Sequence, residues 1–308
     1  MERSECYSGG HDGDAGNMNR RWFVTGMAAL LLAGCNRRER GVSVGSKNFT
    51  EQLVLGELLA QVLESHTNVP IERRFHLAGT YICHQAILAG RIDVYVEYTG
   101  TALTAILKQP AQPDSKSVFD IVQREYQHRF NLTVLPSMGF NNTFAIAMRG
   151  NDAKTGGITK LSDLTAYSRR MRLGVGYEFL ERPDGFVGLA KTYGLQFAAP
   201  PIVMDLGLLY RALEARQVDA VVGSNTDGMI AALGLRVLED DKHYFPPYDA
   251  VPIVRPEALR QIDGMRAALV QLSGRISTND MRLMNYAIDG EKYDVSDVVH
   301  DFLKRMQI

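Results

Sequence analysis

The residues with chemistry to offer sit in two similar stretches. Asp93-Val94-Tyr95-Val96-Glu97-Tyr98-Thr99-Gly100-Thr101 reads as a buried strand, Ile92 to Val96, that runs out into a polar turn. Ligands of open α/β sheets bind at the carboxyl ends of strands. The ring face of Tyr98 and the hydroxyl of Thr101 are therefore placed to touch a small molecule. Ala215 to Gly228 repeats the order of basic residue, spacer, β-branched residue, Asp, apolar run and polar turn. Aligning Asp93 with Asp219 sets Tyr98 opposite Ser224. The chemistry expected from this is recognition in a cleft between two α/β lobes. Bond-making chemistry has less to stand on. The phosphate-binding pattern Gly-x-x-x-x-Gly-Lys-Ser/Thr is absent. His66, His76, His84, His128, His243 and His300 lack metal-ligand spacing. No Ser-His-Asp grouping is visible, and only Glu97 and Glu178 stand near the motifs as acid–base candidates. The expectation is a protein that is not an enzyme and has neither metal nor cofactor.

Stepping outward from these stretches, the elements that position them alternate. Val42 to Val44 is a short strand, and Leu55, Leu58, Leu59, Val62 and Leu63 line one face of a helix. Ile71, Arg73, Phe75 and Leu77 alternate as in a strand. A second helix opens at Gly79-Thr80, with Ile82, Cys83, Ala86 and Ile87 inside. This β-α-β-α-β order predicts a parallel sheet. Val118 to Phe130 is a helix and Leu132 to Leu135 a strand. Met138 to Phe144 is a first crossing to a second lobe, which begins with a strand from Ala145 to Met148. A loop (Gly150 to Gly157), a short helix (Leu161 to Leu164) and a strand (Arg172 to Val175) follow. Then come helix 186–193, strand 202–204, helix 206–216 and strand 219–222. His243 to Ala250 returns the chain, stiffened by Pro246-Pro247. Leu259 to Leu272, Met281 to Ala287 and Val295 to Arg305 are helices placed back on the first lobe. Residues 41–141 and 248–308 are thus assigned to lobe 1 and 142–247 to lobe 2, with a hinge of two crossings.

Bulk properties agree with a globular protein of two cores. The 308 residues carry 45% apolar and 22% charged side chains and a net charge of −1. That balance gives no surface for nucleic acid. Three cysteines form no disulfide framework. Arg20-Arg21, then an apolar run from Trp22, then Leu32-Ala33-Gly34-Cys35, resembles a bacterial lipoprotein signal. The resemblance implies lipidation of Cys35, a membrane anchor and an extracytoplasmic location. Met18 lies directly before this signal and is the expected true start, so residues 1–40 are read as signal and spacer. Cys83 is left as a packing thiol.

Six further stretches recur in one order: Gly45-Ser46-Lys47-Asn48-Phe49-Thr50-Glu51-Gln52, Tyr95 to Thr101, Gly139-Phe140-Asn141-Asn142-Thr143-Phe144, Arg182-Pro183-Asp184-Gly185, Thr226-Asp227-Gly228 and Phe245-Pro246-Pro247-Tyr248. Together they closely resemble the substrate-binding proteins of osmoprotectant ABC transporters, the glycine betaine/choline/carnitine group, over essentially all of 41–308. The resemblance implies an α/β, two-lobe, periplasmic-binding-protein-like (venus flytrap) fold with two mixed, mostly parallel sheets. It implies a quaternary ammonium solute as ligand and a permease with its ATPase as partners. Carried over by motif, Tyr98, Phe144 and Tyr248 match rings of an aromatic cage. Thr101 matches a hydroxyl of the site, Lys47 a pocket lysine and Arg182 a carboxylate-binding arginine, with Asn142 just before Phe144. Ser224-Asn225 departs from the pattern, because many members carry an aromatic residue there. Tyr177 or Tyr95 is a substitute ring, and Asn225 signals an alternative uncharged or zwitterionic solute. A ligand sensor that docks a signalling partner is a further alternative.

Taken singly, each of these residues has a plainer reading. Tyr98 and Tyr248 suit core packing, Arg182 a surface ion pair, Lys47 a solvated loop and Asn142 a backbone contact. The cage reading is energetically adequate. Three cation–π contacts supply on the order of 2–6 kcal/mol, against roughly 4–8 kcal/mol for a millimolar to micromolar site.

Overall fold

In a computed structural model, the structure describes residues 41–308, which form one compact unit of two five-stranded sheets with helices around them. The expected lipoprotein signal, Met18 and Cys35 lie outside the described residues.

The first sheet has the order β2-β1-β3-β10-β4, where β1 is Val42–Gly45, β2 Ile71–Arg74, β3 Val94–Tyr98, β4 Thr133–Val134 and β10 Ala250–Val254. The second has the order β7-β6-β8-β5-β9, where β5 is Phe144–Arg149, β6 Leu173–Val175, β7 Ile202–Val203, β8 Ala220–Ser224 and β9 Leu235–Val237. In each sheet four strands run one way and one is reversed. The reversed strands, β5 and β10, are the two that follow a crossing between the sheets. A chain arriving from the other lobe enters from the opposite end, which sets this direction.

The repeat seen in the sequence has a structural cause. Asp93 donates its N–H to the Ser43 carbonyl (2.7 Å) and accepts from the Ser43 N–H (3.0 Å). Asp219 makes the same two contacts with Arg172, at 2.9 and 2.8 Å. Each carboxylate also meets an arginine at the end of the reversed strand, Arg255 for Asp93 and Arg149 for Asp219. Each lobe thus ties its central strand to both neighbours with one aspartate, and the two strand ends carry Tyr98 and Ser224.

Helix α1 (Thr50–His66) holds the first sheet to the C-terminal helices. Its apolar stripe, Leu55, Leu58, Leu59, Val62 and Leu63, is fully buried. It packs on β1, β2 and β3 and on α10 (Met265–Val270), α11 (Thr278–Asp289) and α12 (Val295–Met306). Burying a side chain of this size contributes about 1.5–3 kcal/mol. Helix α2 (Thr80–Leu88) buries Cys83, Ala86 and Ile87 but leaves Ile82 exposed, contrary to the expected pattern. Burial pushes the Cys83 thiol up to about 12, in keeping with a packing role. Helix α3 (Ser115–Phe130) is capped by Asp114, whose side chain accepts from the Ser117 N–H.

Two expectations fail locally, and two short elements were not foreseen. The segment Gly150–Gly156 is a helix, α4, rather than a loop. The helix expected over Leu259 to Leu272 is split into α9 (Pro256–Gln261) and α10, because Gly264 takes φ +80. Helix α8 (Met229–Ala232) and strand β9 are too short to show a period. Between α4 and α8 lie α5 (Tyr177–Glu181), α6 (Phe186–Tyr193) and α7 (Leu209–Glu214).

The two crossings pair with each other. Asn141 and Asp249 form an antiparallel bridge. Asn142 N–H donates to the Tyr248 carbonyl (3.0 Å), and Ala250 N–H to the Phe140 carbonyl (3.2 Å). Residues on either side of these bonds, Phe144 and Tyr248, therefore emerge close together.

Candidate functional site

A cleft of about 360 Å³ is lined by residues from both sheets and both crossings. Tyr98, Thr101, Phe144, Tyr248, Arg182, Lys47, Asn142 and Tyr177 all line it. Asn225 does not. Its backbone is pinned instead, the N–H donating to the Thr143 carbonyl (3.0 Å) and the carbonyl accepting from Arg282 Nε (2.7 Å). Ser224, one residue earlier, faces the cleft. Tyr95 is fully buried among Cys83, Tyr126 and Val251 on the far side of β3, so it is not a substitute ring. Alternation along the strand sends neighbours to opposite faces.

The aromatic wall is built by contact between rings. Phe144 meets Tyr248 edge to face at 5.6 Å, Phe179 at 4.9 Å and Phe245 at 5.4 Å. Phe179, on α5, was not singled out from sequence, since nothing in Tyr177-Glu178-Phe179 marks which ring turns inward. Tyr177 is the exposed one of the two and stands in the cleft mouth.

Arg182 and Lys47, the two cationic side chains singled out from the sequence, each have a protein carboxylate as partner. Arg182 is buried and grips Asp184 through Nε (2.9 Å) and Nη2 (2.6 Å), and the Tyr248 hydroxyl donates to the same Asp184 (2.6 Å). Burial alone would raise the Asp184 carboxyl, but Arg182 and these hydrogen bonds outweigh it and hold it below the usual range. The guanidinium lies 5.0 Å from the Phe144 ring centre and 5.8 Å from that of Tyr248. Lys47 Nζ donates to Glu97 (2.5 Å) and to Thr80 Oγ1 (2.9 Å), and sits 5.1 Å from the Tyr98 ring centre. The plainer readings of Arg182 as surface-exposed and Lys47 as solvated therefore fail, since both are buried.

A second network joins the lobes across the crossings. Glu51 is buried and accepts from the Tyr98 hydroxyl (2.6 Å), from Asn142 Nδ2 and from Asn285 Nδ2 (3.2 Å). Ser224 Oγ donates to Asn142 Oδ1. The ends of the two equivalent strands, Tyr98 and Ser224, are thus wired through Glu51 and Asn142. Burial raises the Glu51 carboxyl, only partly offset by its donors. Helix α11, expected on lobe 1, also touches lobe 2: Asn285 donates to the Thr226 carbonyl (3.0 Å).

The lobes also meet at the cleft mouth. Glu178 of α5 accepts from the N–H of Thr80 (2.6 Å), the first residue of α2, and from the Thr80 hydroxyl (3.3 Å). A carboxylate from one lobe thus caps a helix of the other. Among the described residues no group of His, Cys, Asp and Glu has metal-binding geometry, and no helix is long and apolar enough to cross a membrane.

Residues 40–305 match the family model described as the substrate binding domain of ABC-type glycine betaine transport system. The carnitine transport binding protein OpuCC of Listeria monocytogenes is 32% identical over 286 residues, covering 90% of this chain and 92% of that protein. The ergothioneine transport permease/ergothioneine binding protein EgtU of Helicobacter pylori is 36% identical over 286 residues, covering 92% of this chain; the match spans only 51% of that protein's length. A crystal structure of a glycine betaine/carnitine/choline ABC transporter aligns with TM-score 0.72 and 33% identity over 86% of this chain and 98% of that one. With the two-lobe architecture, these place the chain in the family of substrate-binding domains of ABC-type glycine betaine transport systems, a family of solute-binding proteins rather than enzymes.

Proposed function

We propose that this protein holds a small quaternary ammonium solute between its lobes and hands it to an ABC permease. The observation that carries the reading is that Tyr98, Phe144 and Tyr248, from three distant segments, line one cleft. A quaternary ammonium donates no hydrogen bond and spreads its charge over methyl groups, so ring faces and edges suit it better than a carboxylate does. Phe179 and Tyr177 extend the apolar wall. Thr101 and Asn142 offer polar contacts to the rest of the solute. Arg182 engages Asp184 through Nε and Nη2, so Nη1 is the group for a ligand carboxylate. The names of the relatives point to betaines of the glycine betaine, carnitine and ergothioneine type. Lipidation of Cys35 would keep the protein beside its permease at the membrane surface.

Titration calorimetry of the purified protein against glycine betaine, choline, carnitine, ergothioneine, proline betaine and ectoine tests this. Binding of at least one, weakened ten-fold or more by Phe144→Ala, is expected. No heat with any of them rejects the ligand class.

A further inference from the structure

The cleft does not end at the rings. The cavity, about 360 Å³, is lined beyond the rings by residues of β8, α7 and α11. The cleft continues past Ser224 to Asp227, Tyr210 and Asp289, which line its other end. Ser224 joins the two parts: it pairs with Phe144 across the ladder, and its N–H donates to Asp227 Oδ2 (2.8 Å). The Tyr210 hydroxyl donates to the same Oδ2. Both bonds fall on one oxygen, which leaves Oδ1 as an acceptor without a hydrogen bond. Gly223 is what lets the pair sit there, since a Cβ would lie 2.2 Å from the Tyr210 oxygen and 2.7 Å from Asp227 Oδ2. Asp289 accepts from Thr50 Oγ1 (2.7 Å), and Glu51 and Asp289 both add to the burial that raises the Asp227 carboxyl. This end therefore offers carboxylate acceptors, with Lys292 and Arg211 also lining the cleft, while Arg182 and Lys47, already paired, stand among the rings.

Resting on the reading of the cleft as a quaternary ammonium site, we infer that Asp227 is a specificity residue. It receives a hydrogen-bond-donating extension, an N–H or O–H group, of a ligand longer than glycine betaine, and small Ser224 keeps the passage open. An aromatic side chain at 224 would close that passage and favour a compact ligand. The extension meets the ionised carboxylate, whose Oδ1 accepts its N–H or O–H.

Calorimetry of the full chain with two probes tests the inference: glycine betaine, which has no donor, and ergothioneine, whose ring carries N–H groups beyond its trimethylammonium. Ergothioneine is expected to bind at least ten-fold tighter. Asp227→Asn is expected to shrink that ratio about ten-fold. Because Asp227 also holds Tyr210 and Ser224, Ser224→Tyr provides a separate arm, expected to shrink the ratio by a similar factor with the Asp227 contacts intact. Equal or tighter binding of glycine betaine overturns the inference while leaving the quaternary ammonium reading standing. So does a ratio unmoved in both variants. Absence of binding to either probe and to the wider panel overturns both.

Discussion

Replacing Gly79 with alanine should uncouple ligand binding from folding. The residue precedes α2 with φ −97 and ψ −165, an extended conformation open to alanine. What a side chain would displace are two side-chain tips of the other lobe. A Cβ at 79 would lie 2.1 Å from Glu178 Oε1 and 2.4 Å from the Tyr177 hydroxyl, where ordinary contact begins at 3.4 Å. Glu178 must retreat by about 1.3 Å, and the 2.6 Å bond to the Thr80 N–H stretched by that amount is no longer a hydrogen bond. Losing a bond to a charged group costs about 1.5–3 kcal/mol. Ligand held by the closed lobes then binds roughly 10- to 100-fold more weakly, at 1.4 kcal/mol per decade. Within either lobe nothing is lost, and alanine reduces the freedom of the unfolded chain, so the unfolding free energy of the free protein should change by less than about 1 kcal/mol. Calorimetry and urea melts on Gly79→Ala, Glu178→Ala and the double variant decide the matter. The double variant should bind no worse than Glu178→Ala, because the clash is gone with the carboxylate. An affinity for Gly79→Ala within three-fold of the parent refutes the argument that this contact holds the lobes together.

Three further outcomes are expected. Asp184→Asn strips the buried Arg182 guanidinium of its counter-ion, and should lower unfolding free energy by about 3–5 kcal/mol; a loss under 1 kcal/mol in urea melts would contradict the pairing. Tyr98→Phe removes one donor from buried Glu51 and should cost about 1–3 kcal/mol of stability, while the retained ring keeps ligand affinity within about three-fold; a larger affinity loss than stability loss would show that the hydroxyl serves the ligand. Asp227 is raised by burial from 3.8 to about 7. A carboxyl raised on folding holds its proton in the native state where the unfolded chain has lost it, so stability falls as pH rises from 3.8 toward 7 and levels off above. Asp184, held low, loses stability only as pH falls below the ordinary carboxylate range. Between about pH 5 and 7 the Asp227 effect should therefore show as a decline on the order of 2–3 kcal/mol, and Asp227→Asn should flatten it in thermal melts.

How much of this was legible in the sequence depends on how local the cause is. The repeat was readable because both copies solve the same local problem: an aspartate at the start of a central strand tying down two neighbours. The element order followed from period and spacing, and it failed where a single residue decides, as at Gly264, or where an element spans one turn, as in α8. Convergence of Tyr98, Phe144 and Tyr248 on one cleft came from family motifs, for no periodicity relates residues so far apart.

What the sequence withheld was which cation meets which anion. Arg182 and Asp184 are two residues apart, and Arg-x-Asp spacing of that kind reads equally well as a solvated turn; only the walls of Phe144 and Tyr248 make the pair buried and mutually dependent. Lys47 and Glu97 are fifty residues apart and meet because β1 and β3 are neighbours in the sheet. These pairings change the chemistry of the site. An arginine and a lysine counted from sequence suggest a cleft that draws anions. With each already matched to a carboxylate, Glu51, Asp227 and Asp289 share the space with Arg211 and Lys292, and on the proposed reading the balance favours the positive end of a ligand, with a carboxylate entering only where Arg182 has a donor left to give. A cage for a methylated nitrogen needs that bias as much as it needs rings, since the rings alone would accept any apolar group of the same size.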